Sequence, residues 1–210
     1  TPRSTKIRDL RSFLKEFLLD QRVLDVPFIL RQILVKGLIL PFRPYKIASA
    51  YQKIWSKQGS PLMVTSLKAQ ELLQKTLGPQ FDVQLAMRYA DRPIAEFIKR
   101  FINDGHHSII VIPLFPQYST AATGSVIAKC YEIANSYFSP PSLKIIRSFF
   151  DHRLFIKSQA NLIAKAIEEN GSELLITSYH GVPVRHLTKS GCQNAQDCQK
   201  SSCPIFENKQ

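Results

Sequence analysis

From residue 66 onward, short apolar runs alternate with segments of helical period, an order that builds a parallel sheet crossed by helices. A helix carrying Leu67, Leu72 and Leu73 leads to a strand in which Val83, Leu85 and Met87 alternate, and Pro93 then opens a helix carrying Ile94, Phe97, Ile98 and Phe101. The continuous apolar run Ile109 to Leu114 follows, then a helix with Val126, Ile127, Cys130, Ile133 and Ala134 on one side. The strand Leu143 to Ile146, the helix Phe155 to Ile167 and the strand Leu174 to Ser178 continue the pattern. The expected class is α/β, a parallel doubly wound sheet with helices on both faces.

A helical stretch precedes the alternation. Leu10, Phe13, Leu14, Phe17 and Leu18 recur at helical spacing up to Asp20-Gln21-Arg22, ahead of Pro27. A second apolar stretch, Phe28 to Leu40, is expected to stop at Pro41-Phe42-Arg43-Pro44. A further helix around Ile47, Tyr51 and Ile54 runs into Gly59-Ser60-Pro61. With 210 residues, 44% of them apolar, the chain is long enough to bury a core in one domain, or in one and part of a second. No apolar run approaches the ~20 residues of a membrane span.

In a sheet of this kind ligands bind beyond the carboxyl ends of the strands. The residues found there are Arg88-Tyr89, then Pro113 to Ser119 with Tyr118, then Tyr179-His180-Gly181-Val182-Pro183. Gly181, which permits an unusual backbone angle, and Pro183, which fixes the next one, are expected to hold His180 in a turn, as a base, a metal ligand or a capping or hydrogen-bonded turn residue. Arg88 suits a substrate carboxylate or, locally, Asp91. The hydroxyls of Ser119, Thr120, Thr123 and Ser125 before a helix suit an anion or simple capping, and no Walker phosphate loop is present. Upstream, Arg43, Lys46, Tyr51, Trp55 and Lys57 interleave cations with aromatics, which suits an apolar pocket with a cationic rim or a solvated basic face.

The 28 Lys and Arg against 16 Asp and Glu leave a formal charge of +12, so an anionic partner is expected. The basic residues are scattered and form no helix-turn-helix, RNP or zinc-finger pattern, so no nucleic-acid partner is expected. A basic face can meet anionic lipid, which makes peripheral membrane association the more plausible use of the charge. Thr1-Pro2-Arg3-Ser4 has the form of neither a signal nor a transit peptide, and the expected location is cytoplasmic, at most peripheral to the inner membrane.

Pro113-Leu114-Phe115-Pro116-Gln117-Tyr118-Ser119, with Thr123-Gly124-Ser125 behind it, and Ser178-Tyr179-His180-Gly181-Val182-Pro183 resemble the two signature segments of the ferrochelatase family. Met87-Arg88-Tyr89, Gly59-Ser60-Pro61-Leu62, the stretch Phe17 to Pro27 and Tyr51-Gln52-Lys53-Ile54-Trp55 resemble it too, in the same order. The resemblance implies a chelatase fold of two Rossmann-like halves. It also implies a lyase that inserts ferrous iron, as substrate, into a porphyrin dicarboxylate and releases the two pyrrole protons. Protoporphyrin IX is the expected porphyrin and coproporphyrin the alternative. By the same match His180 is the pocket histidine, proton acceptor or iron ligand or both, and Arg43, Tyr51, Ser60, Arg88, Tyr89 and Tyr118 line the pocket with the cations facing propionates. Such a reaction needs a puckered ring, a strain of ~1–5 kcal/mol drawn from remote binding energy, and an imidazole that is neutral when it accepts the proton.

Two departures from the family pattern bear on the organisation. Members open on a strand ending in Asn-Leu-Gly-Thr-Pro and carry a second lobe with a glutamate facing the histidine; here Thr1-Pro2 begins the chain and no residue matches that glutamate. The resemblance therefore implies the amino-terminal two thirds of a ferrochelatase: residues 1–178 an α/β domain without its first strand, residues 179–210 the start of the second, incomplete domain. The alternative is a catalytically incomplete porphyrin-binding fragment. Cys192, Cys198 and Cys203 resemble a cysteine-bearing insertion of some bacterial members and are candidate ligands for an iron–sulfur cluster or zinc, or else reduced thiols. Cys130, on an apolar helix face, reads as core.

Overall fold

The first helix, α1 (Ile7–Leu19), buries Leu10 and Leu14, one turn apart, and exposes its polar side. This is the computed structural model of the chain, and it describes residues 1–192. Two compact units divide the chain: Thr1–Val111 with Gly124–Ile145, and Ile112–Thr123 with the chain from Ile146 onward.

In the first unit Leu14 packs with Val35 and Leu40, bordered by Phe13, Leu18, Leu19, Leu24, Ile39 and Ile47. The second apolar stretch does not stop at the prolines. Helix α2 (Phe28–Ile33) runs through a π-helical turn (Leu34–Ile39) into α3 (Leu40–Ile54), which contains Pro41 and Pro44. The cause is local. At the π-helical turn the Leu40 amide reaches back five residues to the Val35 carbonyl, Pro41 falls in the first turn of α3, where no amide donor is needed, and Pro44 is fully buried, so packing offsets the hydrogen bond it removes.

Helix α4 (Pro61–Leu77) begins with Pro61 and ends at Gly78, whose φ of 80° is the left-handed region that favours glycine. Residues 83–87 form no strand. Side chains take their backbone groups instead: the Val83 amide donates to Gln74 Oε1 at 2.8 Å, its carbonyl accepts from Gln70 at 2.9 Å, and the Leu85 carbonyl accepts from Arg92 at 3.0 Å. The expected helices do form, as α5 (Ile94–Asn103) and α6 (Ser125–Ala134). They pack Ile94, Ile98, Val126 and Cys130 onto Ile109 of β1 (Ser108–Val111). Strand β1 pairs in parallel with β2 (Ser142–Ile145), Ser108 opposite Ser142 and Val111 opposite Ile145. Ile109 faces in and Ile110 out, the period-two alternation of a strand.

The second unit contains α7 (Arg153–Asn170), capped by His152 Nδ1 accepting from the Leu154 amide at 3.3 Å and ended by left-handed Gly171, and a short α8 (Val184–Lys189). Residues 174–178, expected as a strand, pair with none among the described residues, and Leu174 and Ile176 are more than three-quarters exposed. The described architecture is thus mixed α/β, mostly helical, with a two-stranded parallel sheet. No described helix is long and apolar enough to cross a membrane.

Candidate functional site

In the first unit a turn with two non-glycine residues in the left-handed region, Ala90 at φ 66° and Arg92 at φ 52°, presents Arg88 and Tyr89. The turn is closed by the Met87 amide on the Arg92 carbonyl at 2.8 Å and tied to α1 by the Ala90 amide on Glu16 at 2.8 Å. Both side chains converge on Asp20, which ends α1. Oδ2 of Asp20 accepts from Arg88 at 2.7 Å, from the Tyr89 phenol at 2.9 Å and from the Ser125 hydroxyl, while Oδ1 accepts from the Arg22 amide at 2.8 Å. Arg88 Nε also donates to Ser125 Oγ at 2.7 Å, its Cζ lies 4.5 Å from the Tyr89 ring centre, and Phe17 packs edge-on against that ring.

The Asp20 side chain is 4% exposed and that of Arg88 23%. Burial works against the Asp20 charge, but hydrogen bonds from Ser125, the Arg22 amide and Tyr89, together with the Arg88 charge, outweigh it and hold the carboxyl below its usual range. Burial, reinforced by the Asp20 charge, pushes the Tyr89 phenol up to about 12. The local alternative for Arg88 does not occur: Asp91 pairs instead with Arg3 at 3.3 Å. Asp20 and Ser125 are the members of this cluster to which the sequence motifs had given no partner; 68 residues separate Asp20 from Arg88.

The upstream candidates lie on other elements of the same unit. Arg43 is exposed on α3 and Tyr51, near the end of that helix, packs against Trp55 with ring centres 6.3 Å apart, burial raising its phenol above the ordinary value. Ser60 is buried at the start of α4, its hydroxyl 2.9 Å from that of Thr1. Cys130 is core, its thiol pushed up to about 11 by burial.

In the second unit Tyr118 lies under an arginine the motifs had not singled out: Arg147 Cζ is 4.1 Å from its ring centre. The amides of Phe149 and Phe150 donate to the Pro116 carbonyl at 3.0 and 3.1 Å, so the chain around Arg147 is tied to the chain around Tyr118. His180 is exposed in a segment without regular structure. Gly181 is not among the glycines with positive φ, and a Cβ there would meet nothing within 4 Å. His186 of α8 is buried, and among the described residues neither of its ring nitrogens has a hydrogen-bond partner. Cys192 is a half-buried free thiol, while Cys198 and Cys203 lie outside the described residues; among the described residues no three His, Cys, Asp or Glu side chains gather as metal ligands.

These features sit in a sequence with close relatives. The sequence profile of ferrochelatase matches residues 1–209. A ferrochelatase of Legionella pneumophila is 42% identical over 210 residues, covering 100% of this chain and 62% of the relative. One of Coxiella burnetii is 40% identical over 203 residues, covering 97% of this chain and 56% of the relative. The chain therefore spans about three-fifths of the length of the curated relatives it matches. With the profile matched from the first residue to the 209th and two residues in five shared along the whole sequence, the chain belongs to the ferrochelatase family.

Proposed function

We propose that the protein takes part in inserting ferrous iron into protoporphyrin IX to form haem. The observation that carries this is the 42% identity to a ferrochelatase across all 210 residues. In the reaction Fe²⁺ enters the ring as substrate while two pyrrole N–H bonds release their protons, so charge balances. His180, which is exposed, accepts a proton as the neutral imidazole or holds the arriving iron. Tyr118, Arg43, Tyr51 and Ser60 are the substrate-binding residues of this reading. Arg88 and Tyr89 are counted with them, although their polar ends are turned to Asp20.

In this reading the two-stranded parallel sheet belongs to a doubly wound α/β fold, with a second α/β half beginning near residue 179. Peripheral contact with a lipid surface is supported by the run from α2 to α3, where Phe28, Ile29, Ile33, Leu38 and Phe42 are all at least 60% exposed beside exposed Lys36, Arg43 and Lys46.

Anaerobic titration of the protein with protoporphyrin and ferrous iron, followed by porphyrin fluorescence, tests the activity. Metalation that disappears in His180→Ala while porphyrin still binds is the expected result. Binding without metalation by the unmodified protein would leave a porphyrin-binding protein, and no binding would overturn the reading.

A further inference from the structure

Arg147 stands two residues beyond β2, and Tyr118 lies in the segment that leaves β1, the paired parallel strand. Chain that leaves the carboxyl ends of adjacent parallel strands is where such sheets meet ligands. The Pro116 carbonyl, which receives two amides from the Arg147 segment, and the edge-on packing of Phe149 against Phe155, 5.3 Å between ring centres, hold this segment in place. Arg147 is exposed, with its guanidinium seated over the phenol ring. A ring face steadies a guanidinium on one side and leaves its planar N–H fork, the donor geometry that matches a carboxylate, for another partner. Among the described residues that fork forms no ion pair and no hydrogen bond.

The first unit holds the same pairing with its anion in place: Arg88 lies over Tyr89, and the guanidinium binds a carboxylate oxygen at 2.7 Å. We propose that Arg147, seated on Tyr118, is a substrate-binding residue that takes a carboxylate, and that its ligand is a propionate of the porphyrin. The choice of ligand rests on the chelatase reading.

Protein expressed from its own gene is titrated with a porphyrin dicarboxylate and with its dimethyl ester in the same detergent, as wild type, Arg147→Ala, Arg147→Lys and the charge control Lys165→Ala, each first checked for native circular dichroism. The wild type is expected to prefer the diacid. Arg147→Ala loses about tenfold or more in affinity for the diacid, as the loss of a charge-assisted hydrogen bond implies, and none for the ester. Arg147→Lys keeps part of the preference and Lys165→Ala all of it. Equal weakening toward both porphyrins, or no weakening, overturns the role of Arg147 while the chelatase reading stands. A wild type that binds neither porphyrin overturns both.

Discussion

Of the arginines that lie over tyrosine rings among the described residues, Arg88 and Arg147 have opposite surroundings. Arg88 over Tyr89 is withdrawn from solvent and bound to Asp20, whereas Arg147 over Tyr118 is exposed with no acidic partner among the described residues. The difference separates an arginine used to hold the fold together from one available to a ligand. In the first case a carboxylate with three donors on one oxygen joins the end of α1, the turn at 88–92 and the start of α6, elements far apart in sequence. In the second, the arginine is fixed by its neighbours and its charge remains directed outward.

The contrast is broken most directly at Asp20. Removing one member of a buried pair leaves the other charge without a partner, a loss of ~3–5 kcal/mol, and Asp20→Ala is expected to lower the urea midpoint accordingly. A variant as stable as wild type would mean that Arg88 finds water or another anion, and that the first pair is no more structural than the second.

A smaller effect follows from titration. Because the Asp20 carboxyl is held below its ordinary value of 3.8, the native state binds that proton less readily than the unfolded chain. Its contribution is complete above pH 3.8 and is lost as pH falls through the native value. Tyr89 acts in the opposite sense: raised from 10.0 to about 12, it contributes fully below pH 10 and loses that contribution as pH rises toward 12. Urea midpoints measured from pH 2 to 7 should therefore fall less steeply in Asp20→Asn than in wild type, and a spectrophotometric titration should lose its component near 12 in Tyr89→Phe. Parallel acid limbs for wild type and Asp20→Asn would place the titration elsewhere.

How far the sequence foretold this contrast depends on the range of the interactions. Helices α1, α5, α6 and α7 were legible because apolar residues at helical spacing show which side each can bury. That residues 83–87 form no strand was not, since Val83, Leu85 and Met87 alternate whether the backbone meets a neighbouring strand or, as here, the side-chain amides of Gln70 and Gln74. Proline punctuation misled at Pro41, which follows a π-helical turn in the first turn of α3, and at Pro44, whose burial inside that helix offsets the hydrogen bond it removes. For the candidate site, Arg88, Tyr89 and Tyr118 could be picked out by motif, but their partners could not. Asp91 was the nearest acid to Arg88 and lost to one 68 residues away, and nothing local marks Arg147 as lying over a tyrosine 29 positions earlier.

The smallest expected effect sharpens the comparison from the other side. Arg147→Ala gives up a solvent-exposed contact with an aromatic ring, worth ~0.5–1 kcal/mol, and no buried partner is stranded by its removal. Its urea midpoint should stay close to that of wild type, and its acid limb should keep the wild-type slope because the group it touches is a phenol rather than a carboxylate. A loss as large as that of Asp20→Ala would make Arg147 a second structural anchor and remove the reason to expect a ligand there. A near-neutral change leaves an arginine that the fold positions without depending on it, the condition under which a charged side chain is free to serve binding.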